Sequence, residues 1–474
     1  MPVERIAVVP FDAVGHMNPQ IALVSSFLTR GAKLRFYLAT PQFKSTIEDL
    51  GKGGESISSL VLSDTEDVHL LTSPPAADGS DDNISGLTIG ICSHTLQTLP
   101  KMLEDLRAFK PDVIVYDPFA IAGAIAARML DVPAVCTVTV PNVGSIPIFA
   151  GCSCDGDKRK KLEEVRASKS LIDLGRRFEE LLGFDPLETM LVMSAYLPNG
   201  LQLCTGVKSF EQKIPDFVTK EVFRGDLKSC YVGPMLSTQH RVTLKKVESS
   251  KKQWIDLDFP HQQLSAWKRE GKKIVYMSMG TVCTSSFFWD YDGPLSKVYG
   301  AKGNGKVHCQ TLWKRMVDAF GGSAEYAIVV ATCTQDLDAL AGTGLEDPPA
   351  NFIVRRRCPQ LEILEVADVF VTHAGANSML ESIAATVPML VLPYFSDQLD
   401  NAPMVTRLGM GKHHGDPVKE ATAEVLAADV EELLRRRPEI IEAMMRVQQE
   451  IARAGGVPAA VEAVEKYVEG FRGH

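Results

Sequence analysis

Residues 355–411 constrain the fold more than any other stretch of this 474-residue chain. Within them, VFVT at 369–372 is an apolar run of strand length. His373-Ala374-Gly375-Ala376 is a turn of small residues, and Asn377-Ser378 opens a helical pattern. Ser378 and Glu381 have the S-x-x-E spacing of a capping box, which predicts Ser378 as N-cap with Glu381 reaching back. MLVL at 389–392 is a second buried strand, closed by Pro393. Strand, glycine turn, helix and strand make a βαβ unit. The N-terminus of its helix offers unpaired N–H groups and a positive dipole end to an anion.

His373 and Gly375 sit where such an anion would lie, and Asn377 and Ser378 add neutral donors. Asp397-Gln398 falls in the loop after the next strand, at the same strand-end edge. An acid beside an amide suits paired sugar hydroxyls, which both donate and accept. Taken singly, Ser378 with Glu381 could only cap one helix and Asp397 only the next.

The set Cys358-Pro359-Gln360, His373-x-Gly375-x-Asn377-Ser378-x-x-Glu381, Val387-Pro388 and Asp397-Gln398-x-x-Asn401-Ala402 resembles the donor-binding signature of the UDP-glycosyltransferases, glycosyltransferase family 1. The resemblance implies an α/β fold of the GT-B type: two facing Rossmann-like domains with a cleft between them and a nucleotide sugar on the C-terminal one. It implies inverting transfer of a hexose, glucose first, from a UDP-sugar to a hydroxyl of a small lipophilic acceptor. It also implies donor contacts from Gly15, Thr281, Arg357, Gln360, His373, Gly375, Ala376, Asn377, Ser378, Glu381, Asp397 and Gln398. The chain departs from the pattern at Arg357, where an aromatic residue normally stacks on uracil, and at Thr386, where glycine is usual. A guanidinium also stacks on a base. Ala376 stands at a position that varies in the family.

IAVVP at 6–10 is a short apolar strand of parallel-sheet character. A turn over 13–19 and a helix over 20–30 follow, with a second strand at 34–39. The turn lacks G-x-G-x-x-G, which argues against a dinucleotide-dependent oxidoreductase. Gly15-His16 with Asn18-Pro19 resembles the family's N-terminal motif, which implies His16 as catalytic base. PDVIVYD at 111–117 is a strand ending in an acid, and the family places a histidine-holding aspartate where Asp117 stands. Both residues fall at the C-terminal edge of one sheet, where open α/β sheets place ligands. Residues 51–90 read as a polar surface loop around 76–85, and 95–109 as a helix. Ile146, Phe149, Phe178, Leu182 and Met193 are either core or an acceptor-pocket lining.

The expected organisation is an acceptor domain over 1–235, a linker over 236–262, a donor domain over 263–455 and a helix over 456–474 returning to the first domain. KIVYMSMGT at 273–281 is a strand whose last residue, Thr281, the resemblance places on the donor phosphate. Residues 283–309 are too long for an ordinary βα loop and read as an insertion, with a helix from Leu312.

Net charge −9 and pI near 5.7 exclude a basic nucleic-acid or anionic-membrane surface. Ten cysteines without C-x-x-C pairs suit a reducing compartment, so the expected location is cytoplasmic. No leader or membrane-length apolar run is read, and a monomer or weak dimer is expected. Three D-x-D triplets, at Asp256, Asp290 and Asp336, raise a metal-dependent alternative. They lie away from the donor signature, and a helix terminus binds diphosphate unaided, so neither metal nor cofactor is expected. The rivals are a nucleotide-sugar sensor on the same fold, a transferase for another nucleotide sugar, and a sugar-nucleotide epimerase. A sensor needs neither His16 nor Asp117.

Overall fold

The structure is a computed structural model, and it describes residues 2–12, 14–51, 56–63, 86–141, 158–189, 196–212, 216–222, 224–225, 227–235, 259–281, 283–284, 289–290, 303–334 and 338–472. These form two α/β units: Met1–Lys252 with Glu450–His474, and Gln253–Gln449. Residues 236–258 of the linker expected over 236–262 and most of the insertion, with Ile146, Phe149 and Met193, lie outside the described residues.

Unit one carries β1 (Arg5–Val9), β2 (Lys33–Leu38), β3 (Ile57–Val61), β4 (Val113–Tyr116), β5 (Ala134–Val138), β6 (Leu201–Cys204) and β7 (Lys228–Tyr231). They form one parallel sheet in the order β3-β2-β1-β4-β5-β6-β7. Its helices include α1 (Val14–Leu28), α2 (Lys44–Leu50), α3 (Gly86–Phe109), α4 (Ile121–Leu130), α5 (Lys158–Arg166) and α6 (Lys169–Leu182). Met17, Ile21 and Val24 recur at helical spacing and pack with Ile6, Val8 and Phe36 in the core. The last helix, Gly456–Arg472, closes the same core with Val461, Val464 and Val468. Strands covered on both faces are continuous apolar runs, and β4 is buried throughout.

Unit two carries β8 (Lys273–Ser278), β9 (Tyr326–Ala331), β10 (Phe352–Arg355), β11 (Val369–Thr372), β12 (Met389–Val391) and β13 (Gly411–His413). This second parallel sheet has the order β10-β9-β8-β11-β12-β13. Around it run α7 (His261–Arg269), α8 (Gly305–Phe320), α9 (Gln360–Leu364), α10 (Ala376–Ala385) and α11 (Gln398–Arg407). Leu264 and Trp267 of α7 join Ile274, Tyr276 and Phe370 in its core.

Two helix starts differ from the sequence reading. α1 begins at Val14, not Gln20, and takes in Pro19. Proline has no N–H to give, so close to a helix start it costs one bond and does not break the helix. α8 begins at Gly305, not Leu312, because Asn304 caps it by accepting from the Val307 N–H at 2.8 Å.

Each sheet reverses its strand order once, between β1 and β4 in unit one and between β8 and β11 in unit two. Open α/β sheets hold ligands at that switch point, beyond the carboxyl ends of the strands. The loops after these four strands therefore carry the chemistry.

Candidate active site

In unit one, Asp117 directly follows β4, and its N–H bonds the Val9 carbonyl at the end of β1 at 3.0 Å. The residue is fully buried. Its Oδ1 accepts from the Phe119 N–H at 2.9 Å, and its Oδ2 lies 2.8 Å from Nδ1 of His16. His16 stands in the first turn of α1, its side chain 21% exposed. Thr139, just past β5, places its hydroxyl 2.9 Å from the same Nδ1. Phe11 and Phe119 pack against the imidazole, each with its ring centroid 5.2 Å away, and against each other at 5.4 Å. An ionised carboxylate can only accept, so Nδ1 carries the proton and Nε2 is the basic nitrogen. Gly15 precedes His16 in the same turn and belongs to this unit, whereas the other predicted donor residues belong to unit two.

In unit two, Gly280 and Thr281 follow β8 and His373 follows β11. The His373 imidazole rests against two glycine backbones. A Cβ on Gly280 would lie 2.5 Å from the ring, and one on Gly375 would lie 2.6 Å from Nε2. Gly280 also has φ +76°, which favours glycine. Burial pushes His373 down to about 4, against the opposing effect of the Ser278 backbone, so the ring is neutral at physiological pH. His308 of α8 is likewise pushed to about 4, mainly by burial and in part by His373. His373 Nδ1 and His308 Nε2 are both buried without a hydrogen-bond partner. The turn thus offers neutral donors and a helix N-terminus, not a fixed cation.

The predicted capping box is absent. α10 starts at Ala376 with Gly375 as N-cap, and no side chain caps it. Gly375 has extended backbone there, which puts Asn377 and Ser378 inside the first turn, where N–H groups lack helical partners. Glu381 is held elsewhere: Gln360, at the start of α9, donates to its Oε2 at 2.5 Å and reaches the Ser378 hydroxyl at 3.3 Å. Tyr276, buried on β8, donates from its phenol to Gln360 Oε1 at 3.1 Å and stacks on Phe370. Thr281, Arg357 and Asn377 are exposed.

Asp397 occupies the N-cap position of α11 but its side chain makes no cap bond. Its Oδ2 accepts from Asn401 Nδ2 at 3.0 Å, and Asn401 donates at 2.8 Å to the Ala374 carbonyl as well. Ala374 has φ +58°, a left-handed conformation that alanine rarely adopts. Asn401 therefore ties the strained His373 turn to the Asp397 loop. Gln398 is buried, and its Oε1 accepts from the Tyr394 and Phe395 N–H groups at 2.9 and 3.3 Å. That leaves its amide nitrogen as the end able to meet a ligand.

Sequence reasoning missed Thr139, Tyr276 and Asn401 as site residues. Thr139 had a legible signal, a hydroxyl one residue past a buried strand at the same sheet edge. Tyr276 lay inside the KIVYMSMGT strand without an assigned task. Asn401 lay inside the motif without an assigned task. Among the described residues, no group of three or more His, Cys, Asp or Glu is arranged to hold a metal ion, and no helix is long and apolar enough to cross a membrane.

The sequence pattern of the family described as UDP-glucoronosyl and UDP-glucosyl transferase matches residues 344–449, which include His373, Glu381 and Gln398. The NDP-glycosyltransferase YjiC of Bacillus subtilis is 25% identical over 470 residues, covering 98% of this chain and 97% of that protein. The oleandomycin glycosyltransferase of Streptomyces antibioticus is 24% identical, covering 97% and 90%. Among solved structures, the glycosyltransferase of kitacinnamycin superposes with TM-score 0.66 at 20% identity, covering 98% of this chain and all of that one. The calicheamicin glycosyltransferase CalG4 gives TM-score 0.63 at 20% identity, covering 99% of each. The fold is that of these GT-B enzymes.

Proposed function

Because the chain belongs to the UDP-glycosyltransferase family and is a nucleotide-sugar-dependent glycosyltransferase, we propose that it moves a hexose, glucose first, from a UDP-sugar to a hydroxyl of a small lipophilic acceptor with inversion. The observation that carries this reading is the 2.8 Å contact between His16 Nδ1 and the buried Asp117 carboxylate. Nε2 of His16 takes the acceptor proton as the acceptor oxygen forms its bond to the anomeric carbon. The bond from that carbon to the diphosphate oxygen breaks, and UDP departs with the electron pair. Asp117 holds the tautomer and stabilises the imidazolium that forms. A single base and a single displacement invert the anomeric centre, since no second carboxylate is needed to form a covalent intermediate.

The diphosphate rests on Thr281, the His373 imidazole and the open N–H groups at Ala376, Asn377 and Ser378. This arrangement uses neutral donors, so the reading needs no metal. Glu381 accepts from ribose hydroxyls, Asp397 and the Gln398 amide nitrogen hold the sugar, and Arg357 stacks on the base. Two relatives are named for oleandomycin and anthocyanidin, which supports a small-molecule acceptor. The thiols found free among the described residues suit the cytoplasm.

The test is incubation with UDP-glucose and hydroxylated aglycones, followed by mass spectrometry and proton NMR of the product. The reading expects one added hexose with a β-anomeric coupling. An α-glucoside would overturn inversion. Tight UDP-sugar binding with no transfer to any aglycone would favour a sensor.

A further inference from the structure

A hydrogen-bonded chain runs beneath the candidate base in unit one. Gln20 stands four residues after His16 on α1, one turn further along the same helix face. It is fully buried. Its Nε2 donates to the Thr137 hydroxyl on β5 at 2.8 Å, and that hydroxyl donates to the carbonyl of Tyr116, the last residue of β4, at 3.2 Å. Asp117 is the next residue and meets His16 Nδ1 at 2.8 Å. Thr139, two residues on from Thr137, meets the same nitrogen at 2.9 Å. The path from His16 through Gln20, Thr137, Tyr116 and Asp117 therefore closes back on His16.

Packing alone does not ask for an amide at this position. The Gln20 Oε1 is buried with no hydrogen-bond partner, and a stranded acceptor costs as much as a neutral hydrogen bond returns, or more. Methionine has similar length and no such atom. With methionine there, Thr137 would keep its own bond to the Tyr116 carbonyl, so no donor would be stranded. What the amide adds is a fixed distance between the first turns of α1 and the ends of β4 and β5. A reacting group misplaced by about 1 Å can lose about 10²-fold in rate.

We propose that Gln20 is a positioning residue, which through Thr137 and the Tyr116 carbonyl sets where the His16 imidazole lies against Asp117. This rests on the glycosyl-transfer reading for its effect on rate only. The placement itself is an equilibrium property of unit one.

Proton NMR of the free protein reads the placement without turnover. An imidazole N–H bonded to a carboxylate resonates far downfield, and the His16 line is identified by its loss in His16→Ala. In Gln20→Met that line should shift or vanish, while the urea unfolding midpoint stays at or above that of wild type. Single-turnover transfer from UDP-glucose should slow about tenfold, with UDP affinity within about twofold. In an Asp117→Asn background the same substitution should slow transfer by less than about twofold, because the contact it serves is already lost. A merely structural role would lower the midpoint and slow both backgrounds alike. Should Gln20→Met not fold, Thr137→Val, which cuts the chain at its other end, should bring the same changes in the line and the rate. An unmoved line, or transfer by Gln20→Met within twofold of an active wild type, would overturn the proposal. A line that moves in a protein whose wild type transfers nothing would sink the transfer reading alone.

Discussion

The amide nitrogen of Gln360 donates to Glu381 Oε2 at 2.5 Å, while the opposite end of that amide accepts the phenol of Tyr276 at 3.1 Å. The two ends of a carboxamide are not equivalent, so the Tyr276 bond decides which end meets Glu381. Tyr276→Phe removes that one hydroxyl and keeps the stack on Phe370. A neutral hydrogen bond contributes about 1 kcal/mol, so UDP should bind about fivefold more weakly. Acceptor turnover at saturating donor should stay within twofold. An unchanged Kd for UDP by calorimetry would show that Gln360 holds its orientation without Tyr276.

Gly280 and Gly31 both have left-handed φ, +76° and +89°, but only Gly280 is crowded. A methyl at Gly31 meets nothing within 4 Å, whereas at Gly280 it meets the His373 ring at 2.5 Å. Gly31→Ala should therefore lose about 1 kcal/mol of stability and keep its activity. Gly280→Ala should lose stability by more and lose donor binding as well, because His373 must leave its place. Equal effects of the two, by urea unfolding and UDP titration, would contradict the packing account.

His308 and His373 are each held at about 4 in the folded chain, mainly by burial. A free histidine titrates near 6.5. Between those values the unfolded chain binds protons that the native state refuses, so stability falls as pH drops from about 6.5 and levels off below about 4. Each imidazole accounts for at most about 3.4 kcal/mol at 1.36 kcal/mol per unit. Asp12, raised to about 6, acts oppositely and gains stability as pH falls below that value. Two histidines outweigh one carboxyl, so the urea midpoint should be lower at pH 5 than at pH 7.5. His308→Gln should flatten that slope, and a midpoint unchanged with pH would refute the assignment.

Asp117→Asn keeps the shape of the buried residue but presents an N–H where a carboxylate oxygen faced His16 Nδ1 at 2.8 Å. The ring then favours the wrong tautomer. Transfer should slow by about 10²–10⁴-fold with UDP affinity unchanged. Near-normal transfer, measured by product mass, would remove Asp117 from the mechanism.

Both sheets were legible because buried parallel strands such as VIVY and VFVT are uninterrupted apolar runs. The strand-end positions of Asp117 and His373 were legible from the apolar runs they follow, whereas the pairing of His16 with Asp117 was implied only by the resemblance. What misled was chemistry with two uses. Ser378 and Glu381 had capping spacing, yet Gly375 starts the helix and Gln360 takes the carboxylate, a partner 21 residues away that local spacing cannot reveal. Gln398 read as a sugar ligand by type, but half its amide serves the loop backbone. Pro19 read as a turn residue, though a helix tolerates it near its start.

The central claim is that His16 is the base, and single-turnover transfer from UDP-glucose by His16→Ala tests it most directly, with UDP binding measured on the same sample. The account predicts transfer reduced at least about 10²-fold, and UDP affinity equal to wild type. Transfer at the wild-type rate with intact UDP binding would contradict it.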